Sequence, residues 1–282
     1  MKRRSIALAA ASTVAGLAAA TVLTQSAQAT DVARTSVVKP TVVLVHGAWS
    51  DASSWHGVTK RLQSEGYTVD APAVPLRGLS GDANYLSDYL KTIKGPIVLV
   101  GHSYGGSVIT QAAAANTNVS ALVYIAAFAP DKGETASELT AKFPGSHISD
   151  DPNAQIPTAL SPVPFNDNGT TGVDLYIKPD KFRDVFLSDR VGSRQANALA
   201  AAQRPVTAQA LGEPTGTPAW KTIPSWYLVA SGDHLISPAA ERFMAERAHA
   251  HTSEVNAPHG VLLTDPAAVS RVIQQAARTT AK

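Results

Sequence analysis

The chain has 282 residues, a net charge of +2 at neutral pH, 44% hydrophobic residues and no cysteine. Disulfide bonds, thiolate catalysis and cysteine-bound zinc are therefore excluded, and the hydrophobic content is typical of a folded domain rather than of a disordered chain. No cluster of lysine and arginine predicts a nucleic-acid partner.

Residues 1–29 have the features of a secretory signal peptide. Basic residues at 2–4 precede an apolar, alanine-rich run, and Ala-Gln-Ala at 27–29 predicts cleavage after Ala29. An uncleaved membrane anchor is the alternative, because the run is about long enough to cross a bilayer. The three basic residues are the only charges of this leader, so its removal changes the net charge from +2 to −1. We therefore expect a secreted protein, exported by either the general or the twin-arginine route.

Residues 30–282 alternate between strand and helix patterns and predict one α/β domain with a doubly wound, mostly parallel sheet. The predicted strands are 41–45, 67–74, 96–100, 121–128, 225–230 and 252–255; the predicted helices are 53–65, 82–93, 106–115, 238–249 and 266–277. Residues 130–222 break this alternation with many prolines and turn residues, and show a modest helical pattern only at 180–187 and 193–203. This segment is predicted to be a cap inserted into the domain.

A serine lies between a predicted strand and a predicted helix. Residues 101–105 read Gly-His-Ser-Tyr-Gly and follow the apolar run 96–100. Strand, Gly-x-Ser-x-Gly and helix, in that order, form the context of a nucleophile elbow, where a sharp turn exposes the serine hydroxyl at the end of the sheet. The pattern predicts Ser103 as a nucleophile, and side chains in place of the two flanking glycines are expected to collide with neighbouring elements.

A serine hydroxyl needs a base within hydrogen-bonding distance, and the base needs an acceptor that orients it. His259 lies in the loop after the last predicted strand, and Asp233 follows the strand 225–230. Side chains at the carboxyl ends of parallel strands meet at one edge of the sheet. The order Ser103, Asp233, His259 matches that of a Ser-Asp-His triad on such a sheet. Asp131, after the strand 121–128, is the alternative acid.

Two backbone N–H groups are needed to bind the oxyanion of a tetrahedral intermediate. The predicted donors are Tyr104, directly after the nucleophile, and Ala48 in the His-Gly-Ala-Trp loop at 46–49. His46 is expected to brace this loop, and Trp49 is predicted to contact substrate.

The other histidines form no evident constellation. His102 is expected to pack or bond beneath the elbow, the direction of His234 is open, and His147 is treated as an ordinary polar residue. No two histidines share a helix face at ligand spacing beside a carboxylate. The sequence therefore predicts neither a metal site nor a cofactor.

Taken together, these residues resemble the α/β-hydrolase superfamily, and more narrowly its secreted bacterial serine esterases. The similarity is carried by residues 46–49, 51–55, 101–106 and 238–248. The resemblance implies an eight-stranded, mostly parallel sheet, a variable cap and a Ser-His-Asp triad that works without a cofactor. It also implies hydrolysis of small or medium carboxylic esters through an acyl-enzyme.

Two other functions stay open at this point. The hydroxynitrile lyase branch is similar around the His-Gly-Ala loop, but it uses a lysine near the acid, and residues 234–238 contain none. A non-catalytic hydrolase-like binding protein would commonly lose a triad member, whereas all three are present here. The expected partner is a small-molecule ester, with no nucleic acid, no stable membrane insertion and no evident obligate protein partner.

Overall fold

The computed structural model describes residues 39–280. The predicted signal peptide lies outside the described residues, so cleavage after Ala29 stays a prediction. From residue 39 to residue 280, none of the helices combines the length and apolar composition that crossing a bilayer requires.

A sheet of six parallel strands forms the centre of the described chain. Across the sheet the strands are β2 (Val69–Asp70), β1 (Thr41–Val45), β3 (Ile97–Ser103), β4 (Val119–Ala127), β8 (Ser225–Ala230) and β9 (His251–Val255). Every residue of β3 and β8 is buried, as expected for interior strands covered on both faces. The predicted fold class is confirmed, although this sheet has six described strands where the resemblance implied eight.

Helices cover both faces of the sheet. Within residues 39–280 the α-helices are α1 (His56–Ser64), α2 (Leu79–Lys91), α3 (Tyr104–Ala112), α4 (Ala136–Ala141), α5 (Pro179–Leu187), α6 (Ser193–Ala202), α7 (Ala208–Gly212), α8 (Pro238–Arg247), α9 (Val261–Thr264) and α10 (Pro266–Thr280). Side chains alternate between faces along a strand. Val43 and Val45 of β1 join the core under α2, α3 and α8, whereas Val42 and Leu44 join the core under α1 and α10.

The predicted elements of this sheet are present, most of them with shifted bounds. The predicted strand 67–74 is reduced to the two residues of β2 at the edge of the sheet, and Pro72, which has no N–H group to donate, follows soon after it. The helix predicted from residue 106 begins at Tyr104, directly after β3. β3 is therefore followed by a helix without an intervening loop, which is the local geometry that a nucleophile elbow requires.

The segment predicted as a cap contains a second, antiparallel sheet of β5 (Leu160–Asp167), β6 (Thr170–Ile177) and β7 (Val206–Thr207). Its two predicted helical patterns are α5 and α6. The hairpin of β5 and β6 was not predicted, because Pro162 and Pro164 disfavour a strand. β5 is an edge strand, where proline is tolerated, and Asn168 and Gly169 have the positive φ values of a tight hairpin turn.

Candidate active site

Ser103 lies at a strained turn between β3 and α3. It is the last residue of β3 and has φ 55° and ψ −127°, a region that residues with a side chain rarely occupy. The Ser103 carbonyl accepts a hydrogen bond from the Phe128 N–H at 3.1 Å, which holds the turn against the end of β4. The strain is thus maintained by the surrounding sheet.

The two glycines of the motif allow the turn to close. A Cβ atom on Gly101 would lie 2.6 Å from the carbonyl oxygen of Gly105, and one on Gly105 would lie 2.5 Å from the carbonyl oxygen of Val45. Both distances are far inside van der Waals contact, so the backbone path excludes any larger residue at either position.

His259 and Asp233 form a fully buried pair. Nδ1 of His259 lies 2.6 Å from Oδ2 of Asp233. Oδ1 of Asp233 accepts hydrogen bonds from the backbone N–H groups of Leu235, at 2.6 Å, and Ile236, at 2.9 Å. The carboxylate is therefore fixed by the backbone on one side and orients the imidazole on the other, as a triad acid does.

The pair lies beside the elbow. Nε2 of His102, the residue before Ser103, donates a hydrogen bond to the His259 carbonyl at 2.9 Å, and the two imidazole centroids are 4.7 Å apart. Nε2 of His259 is buried and has no hydrogen-bond partner among residues 39–280. In substrate-free enzymes the bond between serine and base is often long and tightens only in the complex, so this unpaired nitrogen is suited to accept the Ser103 proton.

A second buried carboxyl group lies next to Asp233. Glu241 of α8 is fully buried, and its Oε2 accepts a hydrogen bond from the Ala230 N–H at 3.0 Å. Burial raises the pKa of Glu241 well above its usual range, and the neighbouring charge of Asp233 raises that pKa further. Burial therefore favours the neutral form of the Glu241 carboxyl group.

Asp131, the alternative acid, has a different partner. Its Oδ1 lies 2.6 Å from Nζ of Lys221 and accepts a hydrogen bond from the Lys132 N–H at 2.6 Å. The hydrogen bond from Lys221 holds the pKa of Asp131 below its usual value. Since Nδ1 of His259 is bonded to Asp233, the geometry favours Asp233 as the acid.

The predicted oxyanion residues lie together at the cavity. Ala48 and Tyr104 line the same cavity as Ser103. Tyr104 is the first residue of α3, so its N–H group has no partner within the helix, and its side-chain hydroxyl donates to Asp82 at 2.8 Å. His46 braces the loop as expected: its Nδ1 donates to the Gly47 carbonyl, and its Nε2 accepts from the Val74 N–H, both at 2.9 Å.

Trp49 joins the cavity wall to the cap. Its indole Nε1 donates a hydrogen bond to the Leu175 carbonyl in β6 at 2.9 Å, and its backbone N–H donates to the Arg204 carbonyl at 2.9 Å. The residue lines the cavity and is 4% exposed. It is thus placed where substrate contact was predicted, with the polar edge of the indole already paired.

The cavity in front of Ser103 has a volume of about 340 Å³. Besides the elbow and residues 48–49, its walls come mainly from the cap segment 136–160, including Phe143, Ile148 and Leu160. Asp151 is the only charged residue among those that line it. The cavity is therefore suited to a largely apolar, uncharged ligand.

His102, which is buried below the elbow, is expected to make the free energy of unfolding depend on pH. Burial, followed by the charge that His259 can carry, lowers the pKa of His102 well below 6.5. The unfolded chain binds this proton below about pH 6.5, whereas the folded chain does not. The contribution of neutral His102 to the free energy of unfolding is therefore complete above about pH 6.5. It is lost as the pH falls below that value, by at most about 1.4 kcal/mol per pH unit.

Urea unfolding of the wild-type chain and of His102→Gln between pH 4 and pH 8 measures this contribution. Glutamine keeps a neutral donor, so the difference between the two unfolding free energies should shrink as the pH falls. A difference that is constant over this range would show that His102 is protonated equally in both states.

One cluster of polar side chains was not predicted. The structure brings together His147, Asp184 and His234, which are separated along the chain and follow no motif spacing. Both histidines contact the Asp184 carboxylate through Nδ1. Only the adjacency of His234 to Asp233 in the sequence indicated that this position lies near the site.

Known proteins share this architecture. A model described as the alpha/beta hydrolase family matches residues 42–272. The chain belongs to this family. This alpha/beta hydrolase is 28% identical over 236 residues to a pyrethroid hydrolase of Sphingobium wenxiniae, covering 77% of this chain and 79% of that protein. It is 26% identical over 228 residues to Methylesterase 8 of Arabidopsis thaliana, covering 74% and 78%.

A solved structure gives the same result for the fold. Polyneuridine aldehyde esterase superposes with a TM-score of 0.70 and 18% identity, covering 84% of this chain and 99% of that chain. At this identity the likeness establishes the common fold. The narrower similarity to secreted bacterial serine esterases stays a prediction.

Proposed function

We propose that this alpha/beta hydrolase is a secreted serine hydrolase that cleaves carboxylic esters of small to medium size through an acyl-enzyme. The observation that carries the proposal is the buried pair of His259 and Asp233, joined at 2.6 Å beside a serine at a strand-to-helix turn. The relatives named above as a hydrolase and a methylesterase support ester hydrolysis. Secretion rests on the leader at residues 1–29.

In the proposed mechanism, Ser103 attacks the ester carbonyl carbon while Nε2 of His259 accepts the hydroxyl proton. Asp233 stabilises the imidazolium that forms. The N–H groups of Ala48 and Tyr104 bind the oxyanion. The alcohol leaves with the proton from His259, and a water molecule then attacks the acyl-enzyme by the same route, releasing the acid and regenerating the serine. Every step uses groups of the chain, so no cofactor is required.

The cavity limits the class of ester. About 340 Å³ is at the small end of the usual range for ligand sites, and its walls carry one charged residue, Asp151. We therefore expect uncharged acyl groups of short or medium length to be preferred over anionic acyl groups. Hydrolysis rates for p-nitrophenyl esters of graded chain length, compared with a hemisuccinate ester, test this preference.

Covalent labelling tests the proposed nucleophile directly. An organophosphorus fluoride should add one phosphonyl group per chain, on the peptide that contains Ser103, and hydrolysis of p-nitrophenyl esters should fall in proportion to labelling. Mass spectrometry of the digested protein locates the adduct. Full labelling at another residue, or hydrolysis that persists after complete labelling, would contradict the mechanism.

The oxyanion loop gives a second test. A Cβ atom on Gly47 would lie 2.6 Å from Cβ of Ser103 and 2.8 Å from the carbonyl oxygen of His102, so Gly47→Ala must displace the loop that carries Ala48. We expect kcat to fall by about 100- to 1,000-fold, the usual effect of losing one oxyanion donor. Gly81→Ala is the matched control, because no heavy atom lies within 4 Å of its Cβ position.

Steady-state kinetics of Gly47→Ala and Gly81→Ala, with their melting temperatures, separate loss of function from loss of folding. If a folded Gly47→Ala variant kept the kcat of the wild type, the Ala48 N–H group would not be an oxyanion donor.

A further inference from the structure

Outside the catalytic pair, three side chains with metal-binding atoms converge at the base of the cap. His147 lies in the loop between α4 and β5, Asp184 lies in α5, and His234 follows Asp233 after β8. Nδ1 of His147 lies 2.9 Å from Oδ2 of Asp184, and Nδ1 of His234 lies 2.8 Å from Oδ1 of the same carboxylate. The two imidazole rings stack with centroids 4.0 Å apart and planes inclined at 28°.

We propose that His147, Asp184 and His234 form a binding site for a divalent transition-metal ion of the zinc class. Each residue offers one ligand atom, and the three atoms lie within 4.8 Å of one another. Two donors on one tetrahedral zinc ion, at about 2.0–2.2 Å each, are about 3.3–3.6 Å apart. The nitrogen-to-oxygen separations of 2.8 and 2.9 Å are those of hydrogen bonds, so metal binding requires these atoms to move apart by about half an ångström.

The donor types select the ion. Two imidazole nitrogens and one carboxylate are ligands of zinc and its neighbours in the first transition series, whereas calcium and magnesium prefer oxygen donors alone. Zinc sites with two histidines and one carboxylate keep the fourth position for water. The side chains of His147, Asp184 and His234 are 45%, 37% and 32% exposed, so solvent can supply both the ion and that water.

The orientation of the imidazoles also suits a single ion. Both rings direct Nδ1 at the Asp184 carboxylate. The same edge of each ring can therefore turn a lone pair to one metal ion, with the proton on Nε2.

Neighbouring hydrogen bonds hold the three residues in place without the use of their own side chains. The His147 N–H donates to the His234 carbonyl at 2.6 Å, and Oγ of Ser146 donates to the Leu235 carbonyl at 2.7 Å. Oγ of Ser188, at the end of α5, donates to the Gly232 carbonyl at 2.5 Å. Because the loops are already joined, little conformational entropy is lost on metal binding.

A bound ion would tie the cap to the loop of Asp233. Ser146 and Ile148, on either side of His147, line the cavity, and His234 directly follows Asp233. A metal at this position would therefore stabilise the cavity wall and the acid loop as one unit. Metal binding would raise the free energy of unfolding, because the ion binds the folded chain.

Zinc chloride titrated into the untagged, chelator-treated chain tests the site by isothermal calorimetry and thermal unfolding. We expect one zinc ion per chain and a rise in Tm of about 5 °C or more at a hundredfold excess over Kd, with no rise in calcium chloride. His147→Ala and Asp184→Asn should lose both effects, and His56→Ala, an exposed histidine outside the cluster, should keep them. Asparagine keeps the shape of Asp184, so this variant reports on binding if His147→Ala fails to fold.

An absence of saturable zinc binding to the parent chain would overturn the proposal, and so would equal binding by Asp184→Asn. Neither result depends on ester hydrolysis, so the metal site and the serine mechanism stand or fall separately.

Discussion

Replacing Ser103 by alanine is expected to lower kcat for ester hydrolysis by about a million-fold, the loss seen when a triad serine is removed. The change removes one oxygen atom and keeps Cβ, so the backbone at φ 55° is retained with the packing around it. The oxyanion donors and the cavity also stay. KM is therefore expected to change little. Rates with p-nitrophenyl acetate and butyrate measure the effect.

Ser107 provides the matched control for this substitution. It is buried in α3, four residues after Ser103, and its hydroxyl has no hydrogen-bond partner in the described chain. Ser107→Ala removes the same atom from a serine in the first turns of the helix that follows Ser103, and loss of an unsatisfied buried hydroxyl costs little stability. It should hydrolyse esters like the wild type. A Ser103→Ala variant as active as Ser107→Ala would instead indicate that another group is the nucleophile.

The interior strands of the main sheet could be predicted from the sequence because they are buried on both faces. β1 and β8 have the predicted bounds, since a continuous apolar run between polar residues marks an interior parallel strand without ambiguity. The elbow could be predicted for a similar reason. Backbone atoms lie too close to positions 101 and 105 to allow any residue but glycine, so the Gly-x-Ser-x-Gly pattern is required by the structure. In these places local sequence and tertiary environment impose the same requirement.

The cap was less predictable because its elements are stabilised by contacts with distant segments. The prolines at 162 and 164 argued against β5, and only its position at a sheet edge makes them acceptable. The Asn168-Gly169 turn was the signal that could have revealed this hairpin. Both residues have the positive φ values of such a turn.

The catalytic residues of the candidate site could be predicted, whereas the metal-binding cluster could not. Ser103 ends a strand, Asp233 and His259 follow strands, and the order of strands in this fold brings these positions to one edge of the sheet. His147 and Asp184 come from the cap, where nothing in the local sequence fixes their direction. Their approach to His234 depends on how the cap is placed over β8, which one backbone hydrogen bond and two hydrogen bonds from serine side chains to the backbone determine.

Asp233→Asn is expected to lower kcat/KM by about 10,000-fold, as when a triad aspartate becomes asparagine. The asparagine oxygen can keep the two backbone hydrogen bonds from Leu235 and Ile236, which places its NH₂ group against Nδ1 of His259. Nδ1 must then accept, so the ring proton moves to Nε2. In that tautomer His259 cannot take the proton of Ser103.

Asp131→Asn separates this effect from the loss of any carboxylate near the site. It breaks the ion pair between Asp131 and Lys221, whose side chains are 31% and 49% exposed. Exposed pairs of this kind contribute about 0–1 kcal/mol to the free energy of unfolding. We expect its kcat/KM to stay within about twofold of the wild type, because a surface pair does not touch His259. Steady-state kinetics of both variants on one ester decide the assignment. If Asp131→Asn were the more damaged enzyme, the acid would belong to β4, and the 2.6 Å contact of His259 with Asp233 would have only a structural role.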